Sequence, residues 1–153
     1  MLSRIFPAQI DNQHRGHPLA LWLFGLVLVL RTVMGGNSIL NARSVMTGAE
    51  GIALDRFDPA LAQTTVSLFM LLALSQLVLA LLGWVVLLRY RAMVPLMLLT
   101  LLVYQLASRA LVLMVSAPQP GGHAPGFWIN IGLLAVLALG FLLSLWRRGQ
   151  AEH

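Results

Sequence analysis

Residues 19–40 read LALWLFGLVLVLRTVMGGNSIL. A single charge, Arg31, interrupts a run that is otherwise apolar or weakly polar. At a rise of about 1.5 Å per residue the run makes a helix of about 33 Å. The hydrocarbon core of a bilayer is about 30 Å thick. The stretch therefore predicts a membrane-crossing helix, because backbone amides in lipid must be satisfied within their own segment. Its apolar core is too long for a cleaved signal peptide and no convincing A-x-A site follows, so the span is expected to be retained.

Three more runs of this kind follow. The expected spans are 19–40, 66–88, 93–115 and 127–146. The composition agrees. Of 153 residues, 59% are hydrophobic and only 10% are charged, against about 25% charged in soluble domains. The reading is an all-α, four-helix transmembrane bundle forming one domain over residues 1–153.

The connections between the runs carry orientation. Arg4 and Arg15 precede the first span, Arg89 and Arg91 lie between the second and third, and Arg147 and Arg148 follow the fourth. In a four-span topology all six fall on one side. The first loop balances Arg43 and Arg56 with Glu50, Asp55 and Asp58, and the third, APQPGGHAPG, has no arginine or acid. The positive-inside rule then puts both termini in the cytoplasm. Trp22, Trp84, Tyr90 and Trp146 fall at the inner interface and Phe57 and Trp128 at the outer one, as an aromatic belt. The expected location is a bacterial inner membrane, crossed four times.

Local signals refine this outline. LRYR, residues 88–91, predicts a tight antiparallel hairpin of spans two and three. Pro95 sits in the first turn of span three, where a missing N–H costs little. Asp58 followed by Pro59 reads as an N-cap and first helical residue, so helix two is expected to begin outside the membrane. Residues 41–57, with Gly48 and Gly51, predict a short helix or re-entrant cap on the outer surface. Residues 118–126 hold three prolines and three glycines and predict an irregular turn.

Several function classes are excluded or disfavoured. The chain has no cysteine, which removes disulfides, thiol redox chemistry and Cys-ligated metals. All ten basic residues are arginine, a pattern that points to a GC-rich genome rather than to chemistry. They punctuate apolar runs instead of clustering, so nucleic acid is not an expected partner despite a pI near 11.4. His14 and His17, with Asp11 beside them, are too few for a metal site. His123 and His153 also lie outside the spans, which disfavours a bis-histidine haem. Glu50, Asp55 and Asp58 are spaced as ordinary loop acids and caps, and Ser75 has no histidine in any span to activate it. The seven methionines read as packing residues. No cofactor or metal is expected, and a non-enzyme is favoured.

Function must then reside in the intramembrane polar residues. By helical rise, Arg31, Gln76 and Gln105 each stand about 18 Å above the inner boundary, with Tyr104 adjacent. A second layer, about 24 Å up, would hold Arg109 and Asn130. Gln105 and Arg109 are four residues apart and share a helix face, as do Arg31, Gly35 and Ser38. Gly35 would let a neighbouring helix approach closely. An intramembrane arginine costs about 2.5–3.5 kcal/mol on insertion scales and is a functional candidate by default. Arg109 stands high enough to snorkel to the outer interface. No acid lies in any span, so Arg31 needs a counter-charge from Glu50, Asp55 or Asp58, from a partner subunit, or from a bound anion or carbonyl ligand.

The arginine-then-glycine ending of span one, LRTVMGGNSILN, together with length and four spans, resembles the DoxX-like group of small bacterial membrane proteins. The resemblance implies a respiratory or redox-associated membrane subunit. It covers about a tenth of the chain and carries over no functional residue. Two functional expectations stand. One is a small non-catalytic accessory subunit, in contact with the bilayer and with a membrane-protein partner or a second copy of itself. The other is a small-ligand protein, a transporter or a quinone- or lipid-associated subunit, using the Arg31, Gln76 and Gln105 layer. A structure in which Arg31 is already paired favours the first, and one in which it meets no protein acid favours the second.

Overall fold

The computed structural model describes Asn12, residues 16–115 and residues 124–146. Arg4, Asp11, His14, Arg15, His123, Arg147, Arg148, His153 and most of the third loop lie outside the described residues.

The described residues form five α-helices: α1 (Pro18–Leu40), α2 (Ala42–Gly48), α3 (Pro59–Arg89), α4 (Val94–Val115) and α5 (Pro125–Leu145). Four of them are long and apolar enough to cross a membrane. They make the chain a multi-pass membrane protein built as a four-helix bundle. Its exterior is the inverse of a soluble domain's, with Leu68, Leu71, Leu72, Leu81 and Leu82 of α3 all exposed.

Proline sets the start of three helices. Pro18, Pro59 and Pro125 each occupy the first turn, where their missing N–H is not needed. The His17 imidazole accepts from the Leu19 amide at 3.2 Å, and the Asp58 carboxylate accepts from the Ala60 amide at 3.0 Å. Helix α3 therefore begins at Pro59, well before residue 66, and α5 begins at Pro125 rather than at 127. The 31 residues of α3 span about 46 Å, so a long N-terminal portion must project beyond about 30 Å of hydrocarbon.

The first loop packs on that projecting portion. Helix α2 and a 3₁₀ turn at Leu54–Arg56 bury Ala42, Met46 and Leu54 against Val66, flanked by Ile52 and Phe69. Gly51, at φ +68°, makes the turn between them in a conformation that disfavours a side chain. At the opposite end, α3 and α4 are joined through Tyr90 and a 3₁₀ turn at Arg91–Met93, the hairpin expected from LRYR.

Around the bundle the order is α1, α3, α4, α5. Helix α1 packs most extensively on α3 and then on α5, α5 packs on α4, and the α3–α4 seam is the most thinly packed of the four. Helices α1 and α4 are thus diagonal partners. The apolar core, including Phe24, Val27, Leu28, Leu98, Leu101 and Leu137, fills the half of the bundle nearer the α3–α4 turn. Small residues bring the helices together where lipid supplies no hydrophobic drive. Gly83 leaves no room for a Cβ beneath the Leu28 side chain. Gly35 lies 3.4 Å from the Leu77 Cβ, measured from where its own Cβ would stand, and 3.6 Å from the Ala73 carbonyl. That is the close approach expected of Gly35.

Candidate functional site

Arg31 stands on the buried face of α1, following Val27 and Leu28 and one turn before Gly35. It is only 2% exposed, so its charge is withdrawn from lipid and water alike. Its Nη2 donates to Gln105 Oε1 at 2.8 Å, a bond that crosses the bundle diagonal from α1 to α4. Gln105 is itself 5% exposed. Its Nε2 donates to Asn130 Oδ1 on α5 at 3.0 Å. Asn130 Nδ2 in turn donates to the Gly126 carbonyl at 2.7 Å.

The direction of this relay follows from chemistry. A guanidinium can only donate, so Gln105 must turn its oxygen toward Arg31 and its NH₂ away. A backbone carbonyl can only accept, so Asn130 must turn its NH₂ toward Gly126. The two ends impose the same orientation on both amides. The relay then reaches the cap, because the Gly126 amide donates to the Ala49 carbonyl at 2.9 Å. A Cβ at Gly126 would stand 2.8 Å from that same carbonyl and 3.0 Å from Glu50 Oε1. Glycine is required there by close approach alone.

The guanidinium is left incomplete. Arg31 Nε and Nη1 are buried and have no hydrogen-bond partner among the described residues. The Tyr104 ring lies beneath, with Arg31 Cζ 6.0 Å from its centroid, at the outer limit of a cation–π contact. No carboxylate of the described residues is bonded to Arg31. Asp55 is exposed in the 3₁₀ turn, Asp58 is exposed and occupied in capping α3, and Glu50 is half-buried beside Gly126. Arg43 is exposed and bonded to Gln63 at 3.1 Å.

The structure therefore brings together Arg31, Gln105 and Tyr104, as their matched depths predict, and adds Asn130 to that layer. The expected second layer of Arg109 with Asn130 does not form, since Asn130 is bonded to Gln105 instead. Arg109 is half-buried and lies over the Phe127 ring, with Cζ 6.0 Å from the centroid. The reason is the early start of α5. With Pro125 as its first residue, Asn130 is more than a turn inside the helix and sits below the level of Arg109. Gln76 is half-buried on the face of α3 that carries Ala73 and Ala80, but no hydrogen bond joins it to the relay. Gly35 meets Ala73 and Leu77, so Gln76 stands at the level of Gly35, about one turn from Arg31. Ser38 is half-buried near the end of α1.

Trp84 also departs from expectation. It is not a simple interface residue: it is half-buried, and its indole Nε1 donates to Thr32 Oγ1 at 3.1 Å. Thr32 Oγ1 donates onward to the Leu28 carbonyl at 2.7 Å. A buried indole N–H needs an acceptor, and the hydroxyl next to Arg31 supplies it. Gly126 and Ala49 were not among the candidates. Their only trace in the sequence is the i, i+4 spacing of Gly126 and Asn130 just after Pro125.

Among the described residues no group of three or more metal-ligating side chains occurs. No known protein family, curated protein or solved structure matches this chain.

Proposed function

We propose that this is a small non-catalytic integral membrane protein that binds an oxygen-bearing ligand, an anion or a carbonyl compound, at Arg31. The observation that carries the reading is a guanidinium almost fully buried and, among the described residues, bonded once to a neutral amide, with Nε and Nη1 unpartnered and no carboxylate bonded to it. A buried unpaired charge costs several kcal/mol, and an arginine is retained against that cost where binding repays it. Nε and Nη1 lie on different edges of the guanidinium plane, so each offers N–H groups to a ligand oxygen, and such charge-assisted bonds are the strong ones.

The burial of Arg31 argues against a partner subunit as the source of the counter-charge. A partner's acid could reach it only by parting the helices. A ligand can enter through the thin α3–α4 seam. The resemblance to DoxX-like proteins makes a quinone carbonyl one member of the ligand class. Bacterial inner-membrane residence with both termini cytoplasmic belongs to the same proposal and rests on the arginine distribution.

The test is a thermal-shift measurement on purified protein in a neutral detergent, with oleate, a dodecyl phosphate and decyl-ubiquinone as probes. At about a hundredfold excess over Kd, a true ligand contributes about 2.7 kcal/mol. That corresponds to about 5–10 °C in a chain of this size. At least one probe should raise the Tm of the wild type by this amount and leave Arg31→Met unmoved. Equal shifts in both proteins, or none with any probe, would overturn the proposal.

A further inference from the structure

The second feature is a groove on the other half of the bundle, independent of Arg31. It has a volume of ≈ 630 Å³ and runs between α1 and α3, within the roughly 300–1,000 Å³ range of ligand clefts. Trp22, Gly25 and Val29 form one wall, and Trp84 and Leu88 the other, with Arg91 closing the end at the α3–α4 turn. Between Leu21 and Val29 it follows α1 for about 12 Å.

Three observations indicate what it holds. The walls are apolar, while the one charge sits at one end, where a headgroup would lie. That charge is oriented, because Arg91 Nε donates to the Leu87 carbonyl at 3.2 Å while the residue stays exposed. The far wall is rigid, because the Trp84 indole is pinned by its bond to Thr32 Oγ1. Gly25 supplies the width. A Cβ there would only touch Leu87 Cδ2 at 3.5 Å, so a small side chain fits while a large one would fill the groove. Trp22, 79% exposed, offers a broad indole face at the rim.

We infer that this groove holds one anionic phospholipid of the leaflet on the Arg91 side, with an acyl chain between Trp22 and Trp84 and the phosphate on Arg91. Apolar walls alone would accept any acyl chain. The oriented cation selects for headgroups with net negative charge.

Tryptophan quenching by brominated lipids reads this site directly. In a Trp128→Phe, Trp146→Phe background only Trp22 and Trp84 report. Brominated phosphatidylglycerol should quench at roughly fivefold lower concentration than brominated phosphatidylcholine, the factor expected for one basic residue at the membrane surface. Arg91→Gln should erase that preference, and Gly25→Leu should weaken quenching by both lipids while leaving the helical circular dichroism unchanged. Equal quenching by the two lipids in the parent protein would overturn the inference, as would a preference that survives Arg91→Gln. So would a protein that native mass spectrometry finds dimeric, with Gly25→Leu making it monomeric, since the groove would then belong to a second copy of this chain.

Discussion

Replacing Arg31 by methionine tests how the buried charge is held. The substitution removes a charge that costs about 2.5–3.5 kcal/mol at mid-membrane. Against that gain, Gln105 Oε1, now buried without a donor, costs about 1–3 kcal/mol. The weak contact with Tyr104, at 6.0 Å, forfeits about 0.5–1 kcal/mol. The terms nearly cancel. Arg31→Met should melt within about 2 kcal/mol of the wild type, or about 4–8 °C at 2–4 °C per kcal/mol.

The sharper outcome is a reversal of sign at Gln105. In the wild type Gln105 holds the only hydrogen bond to the guanidinium among the described residues, so Gln105→Leu leaves the charge bare and should cost about 3–5 kcal/mol. In the Arg31→Met background the same substitution removes an orphaned oxygen and should stabilise by about 1 kcal/mol. Asn130, which loses its donor in both cases, is half-buried and contributes equally to each arm. Melting curves of the four proteins in one detergent give the cycle. If Arg31→Met alone lost 3 kcal/mol or more and Gln105→Leu remained destabilising beside it, Arg31 would be a paired structural ion and the ligand argument would fail.

Other substitutions probe the surroundings of the relay. Gly126→Ala drives a Cβ to 2.8 Å from the Ala49 carbonyl and should cost about 1–3 kcal/mol; faster hydrogen exchange over residues 42–57 would show the cap released, and wild-type exchange would contradict the role given to this glycine. Trp84→Phe breaks one hydrogen bond but leaves Thr32 its acceptor on Leu28, so a Tm loss worth about 0.5–1.5 kcal/mol is expected, and a neutral result would mean the indole is not pinned. Arg109→Leu removes only a ring contact at 6.0 Å and should change stability by less than about 1 kcal/mol; a loss as large as that of Gln105→Leu would place Arg109 in the network after all.

The four spans could be read from sequence because a bilayer fixes both the length and the polarity of what crosses it. Depth was readable for the same reason, and it correctly joined Arg31 to Gln105 and Tyr104. What depth does not give is where each helix begins and which way its faces turn. Asn130 was misplaced by the cap of α5, since two residues at Pro125 and Gly126 shift it about 3 Å, slightly over half a turn, along the bundle. Gln76 was matched by height, yet the approach of α1 to Ala73 and Leu77 places it beside Gly35 instead. Trp84 looked like an interface anchor by position alone. Its partner, Thr32, is 52 residues away and could be found only once α1 and α3 were paired.

The polarity of the relay limits what can complete it. Gln105 already accepts from Arg31 and donates to Asn130 Oδ1, and Asn130 already accepts from Gln105 and donates to the Gly126 carbonyl. Nothing in the relay can turn to serve Nε and Nη1 without breaking a bond elsewhere. A water molecule would satisfy a donor but leave the charge uncompensated, which is the larger cost in an apolar setting. A ligand oxygen carrying negative charge, or a strongly polarised carbonyl, answers both needs at once. Such a ligand would also hold the guanidinium in place, and with it the Gln105 and Asn130 amides that lead to Gly126, because a fully satisfied polar network is rigid. Binding at Arg31 should then tighten the Gly126–Ala49 contact at the cap. The measurable consequence is slower hydrogen exchange at the Gly126 amide when a stabilising probe is bound, and no slowing in Gln105→Leu, where the path from the guanidinium to the cap is cut.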